Sequence, residues 1–125
     1  MSWKLLAPVL LLVPAGAAAQ SMNAETFYQR ATSLQKKGVM ALFSRTEIKA
    51  LTDEGQAAGA KAREQRIAAV KAGKDPRFCP PKGPVTIDSK EFISRLSAIP
   101  ASERQRIDMT EATTRILTAK FPCKG

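Results

Sequence analysis

The chain has no histidine at any of its 125 positions. That removes Ser-His-Asp and Cys-His nucleophile machinery, histidine metal sites and the usual general base near neutral pH. Cysteine is almost as scarce, with only Cys79 and Cys123. Two cysteines without histidine fall short of the four ligands that structural zinc takes. There is no glycine-rich phosphate loop and no dinucleotide fingerprint. Asp and Glu number 11 against 20 Lys and Arg. Asp53 with Glu54, and Glu47 nearby, are the carboxylates to weigh for acid–base work. Adjacent helical residues point in different directions, so Asp53 and Glu54 do not converge. Most other acids stand where helix starts need them. The reading is a non-enzyme with no catalytic residue, no cofactor and no metal.

Aromatics are few as well: one tryptophan, one tyrosine and five phenylalanines. Trp3 lies in the N-terminal segment, so the core must be built from Phe27, Tyr28, Phe43, Phe78, Phe92 and Phe121 with scattered aliphatics. Such a core is thin, and a thin core is where a covalent staple helps most.

What is present begins with an export signal. Met1-Ser2-Trp3-Lys4 is a short basic start, and Leu5 to Ala19 is apolar apart from prolines and a glycine. Ala17-Ala18-Ala19 then supplies small residues for cleavage before Gln20. The apolar run is shorter than the roughly 20 residues a membrane span takes. An uncleaved anchor is the alternative, and Pro8, Pro14 and Gly16 suit a processed segment better. The expectation is a cleaved signal peptide over residues 1–19, a periplasmic location, and one domain over residues 20–125. Cleavage removes Lys4 from a formal charge of +9.

In an oxidising compartment an even cysteine count reads as a disulfide, with two unpaired thiols as the alternative. A Cys79–Cys123 bridge closes a loop of about 45 residues, worth about 4 kcal/mol by chain entropy.

The rest reads as helices separated by proline-marked breaks, an all-α domain of about four to five helices. Asn23 is the expected cap of the first helix, whose face is Phe27, Ala31 and Leu34, and Gly38 stops it. Val39-Met40-Ala41-Leu42-Phe43 is an apolar cluster expected to form one buried helical turn. Ser44 with Glu47 fits a capping box. It opens a long central helix to about Ala72, with Ile48, Leu51, Gly55, Ala58, Gly59, Ala62, Ala69 and Val70 on one face. The small stretch Gly55, Ala58, Gly59 and Ala62 is expected to pack closely against a neighbour. A kink or a partner contact are the alternatives. The opposite face carries Lys61, Arg63, Glu64, Arg66 and Lys71, which reads first as a solvated face. Gly73 to Pro76 ends this helix, and Cys79 to Pro84 is a rigid connection. Val85-Thr86-Ile87 is a short extended piece, too little for a sheet. Asp88 with Glu91, and Asp108 with Glu111, mark two more helix starts. The first carries Phe92, Ile93 and Leu96 and closes at Ile99-Pro100. A turn of helix follows over Ala101 to Gln105. The last helix carries Ala112, Ile116 and Leu117 and ends at Phe121-Pro122-Cys123.

The basic balance suggests an anionic partner. Export and the lack of aromatics among the basic residues argue against nucleic acid. Phospholipid, envelope polymers and an acidic protein remain, without stable membrane insertion.

The order Phe78-Cys79-Pro80-Pro81-Lys82-Gly83, a helix with Phe92 and Leu96, Ile99-Pro100, Arg104 with Arg106, Ala112, and Phe121-Pro122-Cys123 resembles the Rap/Tai family of immunity proteins. Those are small exported helical proteins that protect a bacterium from amidase toxins delivered by type VI secretion. The resemblance implies a binding protein, often a homodimer, that occludes the cleft of a peptidoglycan amidase. It also implies Cys79–Cys123 as the matching disulfide. It is specific over residues 78–123 and carries over no toxin-contacting residue. Two other expectations stand beside it. One is an HdeA-like periplasmic stress chaperone, also small, helical and disulfide-linked. The other is a basic structural protein of the envelope.

Overall fold

A computed structural model describes residues 21–124. The expected export segment, with Trp3, Lys4 and the cleavage position, lies outside the described residues. The fold is all-α. Its helices are α1 (Ala24–Lys37), α2 (Arg45–Lys71), α3 (Ser89–Ser97), α4 (Ala101–Arg104) and α5 (Met109–Lys120), with a 3-10 turn (Gly38–Phe43) between α1 and α2. Among the described residues there is no strand, and residues 85–87 remain irregular.

Local chemistry sets the helix starts. The Asn23 Oδ1 accepts from the N–H groups of Glu25 and Thr26 at 3.0 and 3.1 Å, satisfying orphan donors of α1. Asp88 and Asp108 do the same for the N–H groups of Glu91 and Glu111, at 2.8 and 2.9 Å. Asn23 has a second task. Its Nδ2 donates to the carbonyl of Gln105 at 3.0 Å, and its backbone forms an isolated antiparallel bridge with Asp108. The bridge consists of Ala24 N–H to Ile107 O at 2.9 Å and Met109 N–H to Met22 O at 2.7 Å. The starts of α1 and α5 are therefore bonded together. At the other end of α1, Gly38 takes a φ of +56°, which only glycine adopts without strain.

The capping boxes form only by half. Ser44 occupies the cap position of α2 but makes no side-chain cap bond. Its Oγ accepts from Lys37 Nζ at 3.2 Å instead. Among the described residues, none of the three glutamates three residues beyond a cap returns to it. Glu47 pairs with Arg30, Glu91 with Lys120 and Arg95, and Glu111 with Arg77 and Arg115. Ionised partners are stronger acceptor–donor matches than a neutral N–H, so each carboxylate ties its helix to another segment.

The core is as thin as the composition suggests. Ala24, Phe27, Ala31, Leu51, Ala58, Leu96, Ile99, Met109, Ala112 and Ile116 form it, and four of these ten are alanines. Phe92 lies edge-on to Phe27 with ring centres 6.0 Å apart. The most extensive packing is between α2 and α5. There the small stretch of α2 divides. Ala58 and Ala62 are buried, whereas Gly55 and Gly59 are half-buried. A methyl group added at either glycine would meet nothing within 4 Å, so no neighbouring backbone requires their lack of a side chain. Val70, expected on the inward face, is exposed. The reason is length: α2 has 27 residues and α5 has 12. At ~1.5 Å per residue, α5 covers less than half of α2.

Cys79 and Cys123 form the disulfide, with Cα atoms 4.9 Å apart. Neighbouring bonds hold the same region. Cys79 N–H donates to Phe121 O at 2.8 Å, Thr118 Oγ1 to Arg77 O at 3.0 Å, and Arg66 Nε to Phe78 O at 3.1 Å. The proline-rich connection is thereby fastened to both α2 and the end of α5.

Candidate functional site: an apolar ridge with a cationic collar

The segment Val39–Phe43 is helical, as its composition suggests, but with Gly38 it makes about two turns of 3-10 helix rather than one, and its large side chains are not buried. Val39, Met40, Leu42 and Phe43 are 79, 59, 70 and 82% exposed. The geometry of a 3-10 helix explains the shape. With about three residues per turn, side chains three apart eclipse. Gly38 and Ala41 therefore share one edge, Val39 and Leu42 a second, Met40 and Phe43 a third. Ala41 is half-buried, and the turn packs against α1 and α2. The two remaining edges stand out as a convex ridge of four large apolar side chains. Burial fails because α1 already spends its inward face on Phe27 and Ala31, while the other helices are engaged with that face and with α2.

Within the segment that carries the ridge, charge is of one sign, and the first acid beyond it, Glu47, is held by Arg30 and also feels Lys37. Residues 26–46 contain Arg30, Lys36, Lys37 and Arg45 and no Asp or Glu. Arg30 is bidentate to Glu47, at 2.7 and 2.6 Å. Lys36, Lys37 and Arg45 enter no ion pair among the described residues, and they flank the ridge directly in sequence. Lys49, the next cation, is matched to Asp53 at 2.7 Å.

The carboxylates weighed for acid–base chemistry do not come together. Asp53 holds Lys49, Glu54 Oε2 accepts from Met22 N–H at 2.7 Å, and Glu47 holds Arg30. Two of the surface hollows among the described residues show the same thing. One is lined by Tyr28, Thr32, Gln35 and Lys36 and carries no acid. The other includes Asp108 and Glu111. Both acids there are committed, Asp108 to its cap and Glu111 to Arg77 at 2.6 Å. Among the described residues, no three His, Cys, Asp or Glu side chains are grouped to hold a metal.

The glutamate pairs shift their acids in one direction. Arg77, and then Arg115, hold the Glu111 carboxyl down at about 2. The Arg30 guanidinium lowers Glu47, Lys120 and then Arg95 lower Glu91, and Arg104 lowers Glu25. In each case hydrogen bonding to the ionised form outweighs desolvation.

Arg104 is a residue to which sequence patterning assigned no structural role. It is 7% exposed, whereas Arg106, two positions on, is exposed. Its Nε donates to Glu25 at 2.6 Å. Its NH1 donates to the carbonyls of Ile99 and, at 3.3 Å, Ser97. The guanidinium also lies 4.0 Å from the centre of the Tyr28 ring. It thus joins α1 to the C-terminal end of α3, where free carbonyls and the helix dipole favour a cation. The only hint in the sequence is position: Arg104 closes a short helix just after Ile99-Pro100.

Comparison of the chain with protein-family models, curated proteins and solved structures gives no match.

Proposed function

We propose that this protein acts by binding rather than catalysis, in the bacterial periplasm, and that its contact surface is the ridge Val39–Phe43. One observation carries the reading: four large apolar side chains stand together on a six-residue turn, each more than half exposed. Contiguous apolar surface held in water marks an interaction site. The rest of the architecture suits a scaffold, with ion pairs and a disulfide fixing the helices that carry the turn. Replacing Leu42 and Phe43 together by serine tests this. The double variant keeps the helical circular dichroism and thermal midpoint of the parent and loses its binding. Unchanged binding by a folded double variant rejects the ridge as the contact surface. For the location, protein recovered from the periplasm begins at Gln20 by intact mass. Recovery with residues 1–19 attached rejects the cleaved signal.

A second reading specifies the partner. The motif order from Phe78 to Cys123 supports an immunity protein of the Rap/Tai type, whose partner is a peptidoglycan amidase. Arg104 and the Cys79–Cys123 bridge, both in that stretch, hold the scaffold together. The test is inhibition of a type VI amidase encoded beside the gene. The expected outcome is nanomolar association and stoichiometric loss of peptidoglycan cleavage. Full amidase activity at excess protein removes this reading.

A further inference from the structure

We propose that the ridge docks the protein on an anionic lipid bilayer, with Leu42 and Phe43 entering the acyl boundary and Lys36, Lys37 and Arg45 meeting the headgroups. The inference rests on the ridge being the contact surface, and it names what covers it.

Shape is the first argument. The apolar side chains occupy two of the three edges of a 3-10 turn, so the surface is convex and faces more than one way. A flat protein patch covers one edge and leaves the other in water, and only a matching concave protein surface would cover both. A fluid bilayer covers both, because its chains adapt to any protrusion. Amphipathic elements with basic flanks lie at the headgroup–acyl boundary, and a six-residue segment is far shorter than the roughly 20 residues a span takes. That agrees with the helices, none of which is long and apolar enough to span a membrane among the described residues.

Charge is the second. Lys36 and Lys37 end α1, and Arg45 begins α2. Both sides of the ridge therefore carry cations, and no acid lies between residues 26 and 46. Long basic side chains can lay their stems along apolar surface and keep the charge at headgroup level. Anionic lipid attracts each of them, an attraction screened by salt. The same collar opposes a second copy. Two ridges packed about a two-fold axis would bring two cationic collars together, and the nearest acid, Glu47, is already held by Arg30 in each copy.

The probe is a set of vesicles, either pure phosphatidylcholine or a 70:30 mixture of phosphatidylcholine and phosphatidylglycerol. The full chain is produced with its export segment and purified oxidised. Flotation with the mixed vesicles is expected, with tenfold or greater weakening on pure phosphatidylcholine and a steep fall as salt rises. Leu42→Ser with Phe43→Ser abolishes flotation. Lys36→Gln, Lys37→Gln and Arg45→Gln together remove the preference for phosphatidylglycerol. Val85→Ser, at an exposed apolar residue elsewhere, changes nothing. Phe43→Trp places a reporter on the ridge, and its emission shifts to the blue on mixed vesicles. Several results overturn the proposal. Equal flotation by the ridge variant and the parent means adsorption by net charge, and the ridge reading falls with the lipid one. No flotation, with the ridge variant losing amidase binding, keeps the ridge and gives it a protein occupant. No flotation, with ridge-dependent dimers in sedimentation, gives it a second copy.

Discussion

Arg104 and Arg106 are two positions apart and chemically identical, and the fold treats them oppositely. Arg104→Ala leaves the Glu25 carboxylate without its main partner and strips donors from the end of α3. Removing one member of a buried pair destabilises far more than the pair contributes. With Glu25 still partly in contact with solvent, the expected loss is about 2–4 kcal/mol. Arg106→Ala, at an exposed site, changes stability by less than ~0.5 kcal/mol. Urea unfolding of the two variants checks both. Arg104→Lys does not restore stability, because an ammonium cannot donate in a fork to Glu25 and the carbonyls while lying flat on Tyr28. Equal losses at 104 and 106 would refute the assigned burial.

Helices are where two further expectations belong. Gly55 and Gly59 lie inside α2 with open space at their missing Cβ positions. Gly55→Ala and Gly59→Ala are each expected to stabilise the protein by about 0.5–1 kcal/mol. A fall in thermal midpoint for either would show that something approaches the backbone there. The second expectation concerns acid. Glu25, Glu47, Glu91 and Glu111 all have carboxyls lowered by cations from another segment of the chain. A folded-state pKa below the unfolded one gives stability that is present above about 4.5 and lost as pH falls through the folded value. For Glu111 that value is about 2. Urea midpoints should therefore be flat from pH 7 to 5 and fall between pH 5 and 2, with a shallower fall in Glu111→Gln. A midpoint that holds steady to pH 2 would contradict the pairing. Exposure of apolar surface in that window, with suppression of client aggregation, is the behaviour expected of an acid-stress chaperone.

At the scale of the molecule, the disulfide carries weight because the alanine-rich core is small. Cys79→Ser with Cys123→Ser is expected to lose about 4 kcal/mol, out of a total of about 5–15 kcal/mol for a domain of this kind. Comparing urea curves of the variant and the oxidised parent measures it. An undiminished midpoint would mean that the hydrogen bonds around Arg77 and Cys79 suffice alone. This scale also separates what could be read in the sequence from what could not. Asn23, Asp88 and Asp108 announce helix starts because a cap needs only its own next three residues. Gly38 marks a stop for the same reason, and two cysteines leave one pairing. Whether Val39–Phe43 is covered depends on how far other helices reach, and no local pattern records that. Val70 was misplaced likewise, since the partner that ends short of it lies some 40 residues further along. Glu47, Glu91 and Glu111 fit the local box, and distant cations won them.

The bridge between Asn23 and Asp108 also sets an order of events. A chain emerging from a ribosome or a translocon presents α1 first, but the strand-like partner of its cap arrives 85 residues later. Until then Phe27 and Ala31 have no α5 to lie on, and Asn23 can cap its helix but cannot anchor it. Cys123 comes later still, so Cys79 must wait with a free thiol while the next 44 residues pass. The first of the described helices to appear is among the last to be locked in place. The protein's exposure to proteases and to mispaired thiols is therefore concentrated in the interval before its final 20 residues are through.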